Sequence, residues 1–166
     1  AGRLATRTWA RQPSGAPLVT TYSYDAATGE QLGIDYSDAT ADASFTFDRL
    51  GRQKAIGDGT GTRNFGYSVA LQLTNETLTL DGVTHAITRT YDSLARPTGL
   101  AVDDAYAISY AFDAYGRFST IAGSVPSVIS VAYSYLDNSD LVSGYAADSG
   151  ISAARAYEPQ RNLLTG

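Results

Sequence analysis

Aromatic and polar residues alternate along this chain in short bursts, and each burst ends on an acid and a turn residue. Tyr22-Ser23-Tyr24 runs into Asp25, with Gly29 four residues on. Phe45-Thr46-Phe47 runs into Asp48 and Gly51-Arg52, and Tyr110-Ala111-Phe112 into Asp113 and Gly116-Arg117. Thr90-Tyr91 leads to Asp92 and Ala95-Arg96. Weaker copies fill the intervals: Phe65-Gly66-Tyr67-Ser68, Tyr133-Ser134-Tyr135-Leu136-Asp137, and Tyr157-Glu158 with Arg161. Aligned on the acid, the copies fall at 25, 48, 68, 92, 113, 137 and 158, a period of about 22 residues. Gly2-Arg3-Leu4 reads as the tail of a further copy.

The burst has a mechanical meaning. Aromatics two apart point to the same face of a strand. An Asp after them bonds backbone N–H groups two residues on and starts a turn. The Gly that follows takes the left-handed backbone that a three-to-five-residue hairpin loop needs. The Arg then opens the return strand. Each repeat is therefore predicted to be strand, tight turn, strand. A lone hairpin is marginal in water, so the hairpins must pair sideways. The predicted fold class is all-β: tandem hairpin repeats forming one continuous, curved antiparallel sheet. Leu71 to Leu80 alternates in a way that suits strands with a kink between them. Asp58-Gly59 and Asp81-Gly82 are turn dipeptides, and Gln12 to Pro17 is a loop. No linker or composition shift marks a boundary, so residues 1–166 read as a single array.

Composition narrows the function more than the fold. The 166 residues are 43% hydrophobic and 17% charged, too apolar for a disordered chain and too sparsely charged for a coiled coil. Twelve Tyr, five Phe and one Trp suit half-buried pleated surfaces. The net charge of −5 argues against nucleic acid as a partner and against anionic membrane surfaces. The absence of Cys excludes disulfides and thiolate chemistry. No apolar run reaches the length of a membrane-spanning helix, so membrane insertion is not expected. No signal peptide is visible, and neither terminus reads as natural. The expectation is a fragment of a larger protein.

Tyr110-Ala111-Phe112-Asp113-Ala114-Tyr115-Gly116-Arg117 resembles the YD repeat of the RHS (rearrangement hot spot) superfamily, Tyr-x-Tyr-Asp-x-x-Gly-Arg-Leu. The resemblance spans the chain from Gly2 to about Leu164. Three departures stand out: Ala95 replaces the Gly, and Ser68 and Glu158 replace the Asp. Those hairpins are expected to turn differently or more loosely. In that family the repeats form a strip of sheet that spirals into a hollow shell. Bacterial members resemble secreted or surface-delivered proteins whose shell holds a toxic C-terminal domain; relatives include the toxin-complex cocoon and the animal teneurins. The resemblance thus implies neighbouring repeats and a polypeptide cargo as partners, and a secreted or cell-surface location. The family's self-cleaving core lies beyond its repeats. No Asp-Pro-x-Gly-like motif occurs here, so self-cleavage is carried over to no residue.

Candidate chemistry is thin, and no enzyme activity, cofactor or metal is expected. His85, the only histidine, would need an orienting acid such as Asp81 to act as a base, and an ordinary strand or turn residue is the favoured reading. Asp103 and Asp104, adjacent on a strand, would point to opposite faces and could not address one substrate. Asp137 and Asp140 read as turn acids. Asp35, Asp38 and Asp42 lack the order of a calcium loop. Gly57 to Arg63 lacks the Lys-Ser/Thr ending of a phosphate loop. Tyr22, Tyr24, Phe45, Phe47, Tyr110, Phe112, Tyr133 and Tyr135 are expected to form a ladder across neighbouring hairpins, with Tyr91 and Tyr157 as further repeat-motif residues. Cross-strand packing, about 0.2–1 kcal/mol per pair, is favoured over a stacking platform for sugars. The function that follows is a structural segment of a shell around a polypeptide. The alternative is a surface adhesion or carbohydrate-binding module. Raw sheet edges near Arg3–Trp9 and Tyr157–Leu164 are expected to promote self-association.

Overall fold

A computed structural model describes residues 2–13, 15–124 and 128–166. Among them every regular element is a β-strand. The chain divides into two compact units, residues 1–86 and 87–166. The first holds β1 (Thr6–Thr8), β2 (Val19–Tyr24), β3 (Gln31–Tyr36), β4 (Ala43–Phe47), β5 (Gln53–Asp58), β6 (Gly61–Tyr67) and β7 (Leu73–Leu80). β8 (Val83–Tyr91) starts in the first unit and ends in the second. The second continues with β9 (Pro97–Val102), β10 (Tyr106–Phe112), β11 (Phe118–Ser124), β12 (Val128–Tyr135), β13 (Val142–Ala147) and β14 (Ser152–Ala154). Order along the sheet is order along the chain, and the recorded pairings are antiparallel. This is the all-β hairpin array that the alternation predicts. β7 runs unbroken from Leu73, so the kink expected within Leu71–Leu80 is not there; Leu71 belongs to the preceding turn.

Six hairpins share one construction: β2–β3, β4–β5, β6–β7, β8–β9, β10–β11 and β12–β13. In each, the register shifts immediately before the second aromatic: at Ser23/Tyr24, Thr46/Phe47, Gly66/Tyr67, Thr90/Tyr91, Ala111/Phe112 and Ser134/Tyr135. In the four three-residue loops the bulge follows from the last loop residue, which is left-handed and leaves one residue unmatched; β2–β3 and β12–β13 carry one more loop residue and bulge at the same place. Gly51, Ala95 and Gly116 hold that place with φ of 75°, 65° and 83°, and Leu71 does so at 68°. The opposite ends of the strands use other turns. Asp81 and Gly82 both have positive φ, the two-residue turn whose twist matches the strands.

Each unit is one layer of sheet, and this shows in its burial. Ordinary domains bury a core between two layers. Among the described residues no apolar side chain is fully buried. The aromatic face is half covered: Tyr22, Tyr24, Phe45, Phe47, Tyr110 and Phe112 are intermediate, while their strand neighbours Ser23, Thr46 and Ala111 are exposed. The reverse face is small and polar. Ser23 lies opposite Gly33, Thr90 opposite Gly99, and Ser134 opposite Gly144. Cohesion therefore rests on the backbone ladder and on side-chain pairs across strands rather than on a core.

Candidate functional site

The repeat residues converge on the turns, where three hairpins carry the same carboxylate bracket. In the β4–β5 turn, Asp48 Oδ1 accepts the Leu50 amide at 2.8 Å and the Arg52 amide at 3.0 Å. Its Oδ2 accepts Arg52 Nε at 2.7 Å. Asp92 receives Leu94 and Arg96 in the same way, with Arg96 Nε at 2.7 Å. Asp113 receives Tyr115 and Arg117, with Arg117 Nε also at 2.7 Å. One carboxylate thus closes the turn with one oxygen and fixes the guanidinium with the other. All three carboxyls are held below their ordinary range. For Asp48 the Arg52 side-chain bond is the leading cause. For Asp92 and Asp113, burial pushes upward and is outweighed by the bonds from Arg96 and Arg117.

The Ala95 turn is not looser than the others. Asp92 N bonds Arg96 O, and Ala95 N bonds Asp92 O, both at 3.0 Å, as at Asp48–Gly51 and Asp113–Gly116. Ser68 also keeps the pattern, with its amide on Gln72 O at 2.8 Å. The first, sixth and last copies are longer by one residue: Asp25 N bonds Glu30 O, Leu136 N bonds Leu141 O, and Glu158 N bonds Leu163 O. Asp25 closes its turn on Ala27 and Thr28 instead of on an Arg. In the sixth copy the turn-starting position is Leu136, not Asp137, because it is fixed by following the second aromatic and not by being acidic. Tyr157 pairs with Leu164 in an isolated bridge, and Arg161 grips Glu158 with two bonds of 2.9 and 3.0 Å.

The guanidinium fixed by one turn lies over an aromatic of the next hairpin. Arg52 sits 4.2 Å from the Tyr67 ring centroid, Arg96 4.3 Å from Phe112, and Arg117 4.2 Å from Tyr135. Arg3 reaches Tyr24 at 5.6 Å, which gives Gly2-Arg3-Leu4 the place of a repeat tail. The hydroxyl of the covered tyrosine donates to the carbonyl just past that tail or Arg. Tyr24 bonds Leu4 O at 3.1 Å, Tyr67 bonds Gln53 O at 2.9 Å, and Tyr135 bonds Phe118 O at 2.8 Å. Tyr157 bonds Val142 O at 2.9 Å in the same manner. Arg117 Nη1 also donates to Ser139 O in the following turn. The sequence pattern contains every member of these clasps but not their pairing.

The expected aromatic ladder takes a different form. The ring contacts at Tyr110–Phe118 (5.7 Å), Phe112–Phe118 (4.9 Å) and Tyr133–Tyr145 (6.5 Å) each run inside one hairpin. At Tyr24, Tyr67, Phe112 and Tyr135 the neighbour across hairpins is Arg.

The other candidates do not assemble. Asp103 and Asp104 lie in the β9–β10 turn and not on a strand. His85 is an exposed residue of β8. Among the described residues no group of three potential ligands is placed to hold a metal.

A family model described as Protein of unknown function (DUF3281) matches residues 3–159. A search of curated proteins finds no match. Solved structures share the fold. A crystal structure of TcdB2-TccC3-Cdc42 superposes with a TM-score of 0.61 at 18% identity, covering 96% of this chain and 9% of that one. A Photorhabdus luminescens Tc holotoxin pore gives 0.59 at 20% identity over 89% of this chain and 8% of its own. TcdB2-TccC3 without its hypervariable C-terminal region gives 0.59 at 18% over 92% and 8%. The chain spans less than a tenth of the length of each.

Proposed function

The chain belongs to the family described as Protein of unknown function (DUF3281), and on that premise we propose that it is a length of wall from a β-shell of the RHS/YD type. Its role is structural rather than catalytic: to help enclose or present a polypeptide cargo such as a toxin domain, in a secreted or cell-surface protein of which this is one segment. The observation that carries the reading is the clasp. Each bracketed Arg is held by its own turn and covers a ring of the next hairpin, so the unit is built to be repeated. The absence of a buried apolar side chain among the described residues supports it, since a one-layer sheet has two faces for other polypeptide to meet. Likeness of fold to TcdB2-TccC3 supports it as well. Partners on this reading are neighbouring repeats and non-native polypeptide held by many weak contacts.

The test compares retention of reduced, carboxymethylated α-lactalbumin with that of the native protein on the immobilised chain. Weak, salt-tolerant preference for the unfolded form is expected. Equal indifference to both forms would overturn the enclosing role.

A further inference from the structure

The single tryptophan stands outside the repeat pattern. Trp9 follows β1, its amide on Leu18 O at 2.8 Å and its indole N–H on the Thr20 hydroxyl at 3.0 Å. Thr20 is only 3% exposed, so the indole is tied to a covered anchor. The Arg7 guanidinium lies 3.6 Å from the ring centroid. The ring is thus fixed, yet 39% exposed. Burying it further would have stabilised the fold. What sets it apart is that it is held in place at the wall of a cleft.

Register supplies the second wall. Thr20 on β2 lies opposite Arg7 on β1 and opposite Tyr36 on β3. Trp9, Leu18, Thr20 and Tyr36 therefore line one cleft, of about 370 Å³, within the first unit. Arg11, Asp38 and Thr40 complete it. Asp38 Oδ1 accepts the Thr40 amide at 3.0 Å. Bonds from the Thr40 hydroxyl and amide, with Arg11 at longer range, keep that carboxyl below its ordinary range and ionised at neutral pH.

We infer that this cleft binds one sugar ring of a glycan, its C–H face against Trp9 and Tyr36 and its hydroxyls on Asp38 and Arg11. The volume suits a single ring. A hydroxyl pair can donate to the carboxylate and accept from the guanidinium at once. A purely apolar group would take the charges of Asp38 and Arg11 out of water and offer them nothing in return, which is costly. A simple ion of either sign would meet its like charge beside its opposite. The site lies apart from the clasps and is independent of the wall reading.

Trp9 is the only tryptophan, so intrinsic fluorescence reports this cleft alone. The probes are the methyl glycosides of glucose, galactose, mannose and N-acetylglucosamine, with a glycan array on the same full chain. A saturable change in Trp9 emission with at least one glycoside is expected, together with array binding. Asp38→Asn, isosteric and on an exposed loop, should weaken binding about tenfold or more with the thermal midpoint unchanged. Trp9→Ala should abolish the array signal, and Tyr115→Ala, remote and 83% exposed, should leave it intact. A silent titration with a blank array would overturn the assignment. So would sugar binding indifferent to Asp38→Asn and Trp9→Ala. A response to N-acetylphenylalanine amide and none to the glycosides would give the cleft to polypeptide instead.

Discussion

A single left-handed residue decides how each repeat turns. Gly116 sits at φ 83°, and a Cβ built on it would lie 3.2 Å from Arg96 Nη1 of the preceding hairpin. Gly116→Val should therefore cost about 1–3 kcal/mol, read as the loss in a denaturant titration. Ala95→Gly should do the reverse, because Ala95 already strains at φ 65°; an unchanged midpoint in both would remove the turn from the account. The carboxylates act at this scale too. The folded pKa values of Asp48, Asp92 and Asp113 are depressed, so their stabilisation is present above the unfolded value of about 3.9 and is lost as pH falls through the folded values. Thermal midpoints followed by circular dichroism should hold steady down to about pH 4 and then drop. The triple variant Asp48→Asn, Asp92→Asn, Asp113→Asn should show a shallower drop from a lower start, and an equally steep one would place the acid sensitivity elsewhere. Turn chemistry at Asp48, Asp92 and Asp113 was legible in the sequence because Asp, Gly or Ala and Arg stand within five residues. At Leu136 it was not, because position relative to Tyr135 outweighs the identity of the acid.

Between elements, the informative contact is the clasp, and it is the part that local sequence conceals. Arg117 and Tyr135 are 18 residues apart, with their relation set by the pairing of β11 with β12. No periodicity states that pairing, whereas the strands themselves follow from the alternation. Trp9 and Tyr36 were hidden for the same reason: three strands of register bring them to one cleft. A lone Trp at a strand end, two residues after an Arg, was the available signal. A double-mutant cycle on Arg117→Ala and Tyr135→Phe or Tyr135→Ala separates the contributions. The Ala cycle should show a coupling of about 0.5–1 kcal/mol, whereas the Tyr135→Phe cycle, in which the ring stays under Arg117, should show little. Zero coupling would make the stacked guanidinium incidental.

For the whole molecule, the open question of an ordered sheet is its ends. β1 and β14 have three residues each and stand at the two ends of the strand order. Short edges limit, but do not abolish, recruitment of other strands. Light scattering over a concentration series should show reversible self-association; a strict monomer at the highest concentration would mean that the ends are capped. The clasp has one more consequence, and it concerns length. Because each Arg addresses the ring one hairpin later, the array has a reading frame. Excising Asp92 to Phe112 joins Tyr91 directly to Asp113, and the frame survives: an aromatic still precedes the bracket, and Arg117 still meets Tyr135. Excising Asp92 to Val102 removes one strand of a pair and throws every later turn to the wrong end. The first deletion should melt cooperatively near the parent midpoint, and the second should lose its β-sheet spectrum. Whole hairpins are thus the currency in which such a protein can lengthen or shorten, and anything smaller is a frameshift in three dimensions.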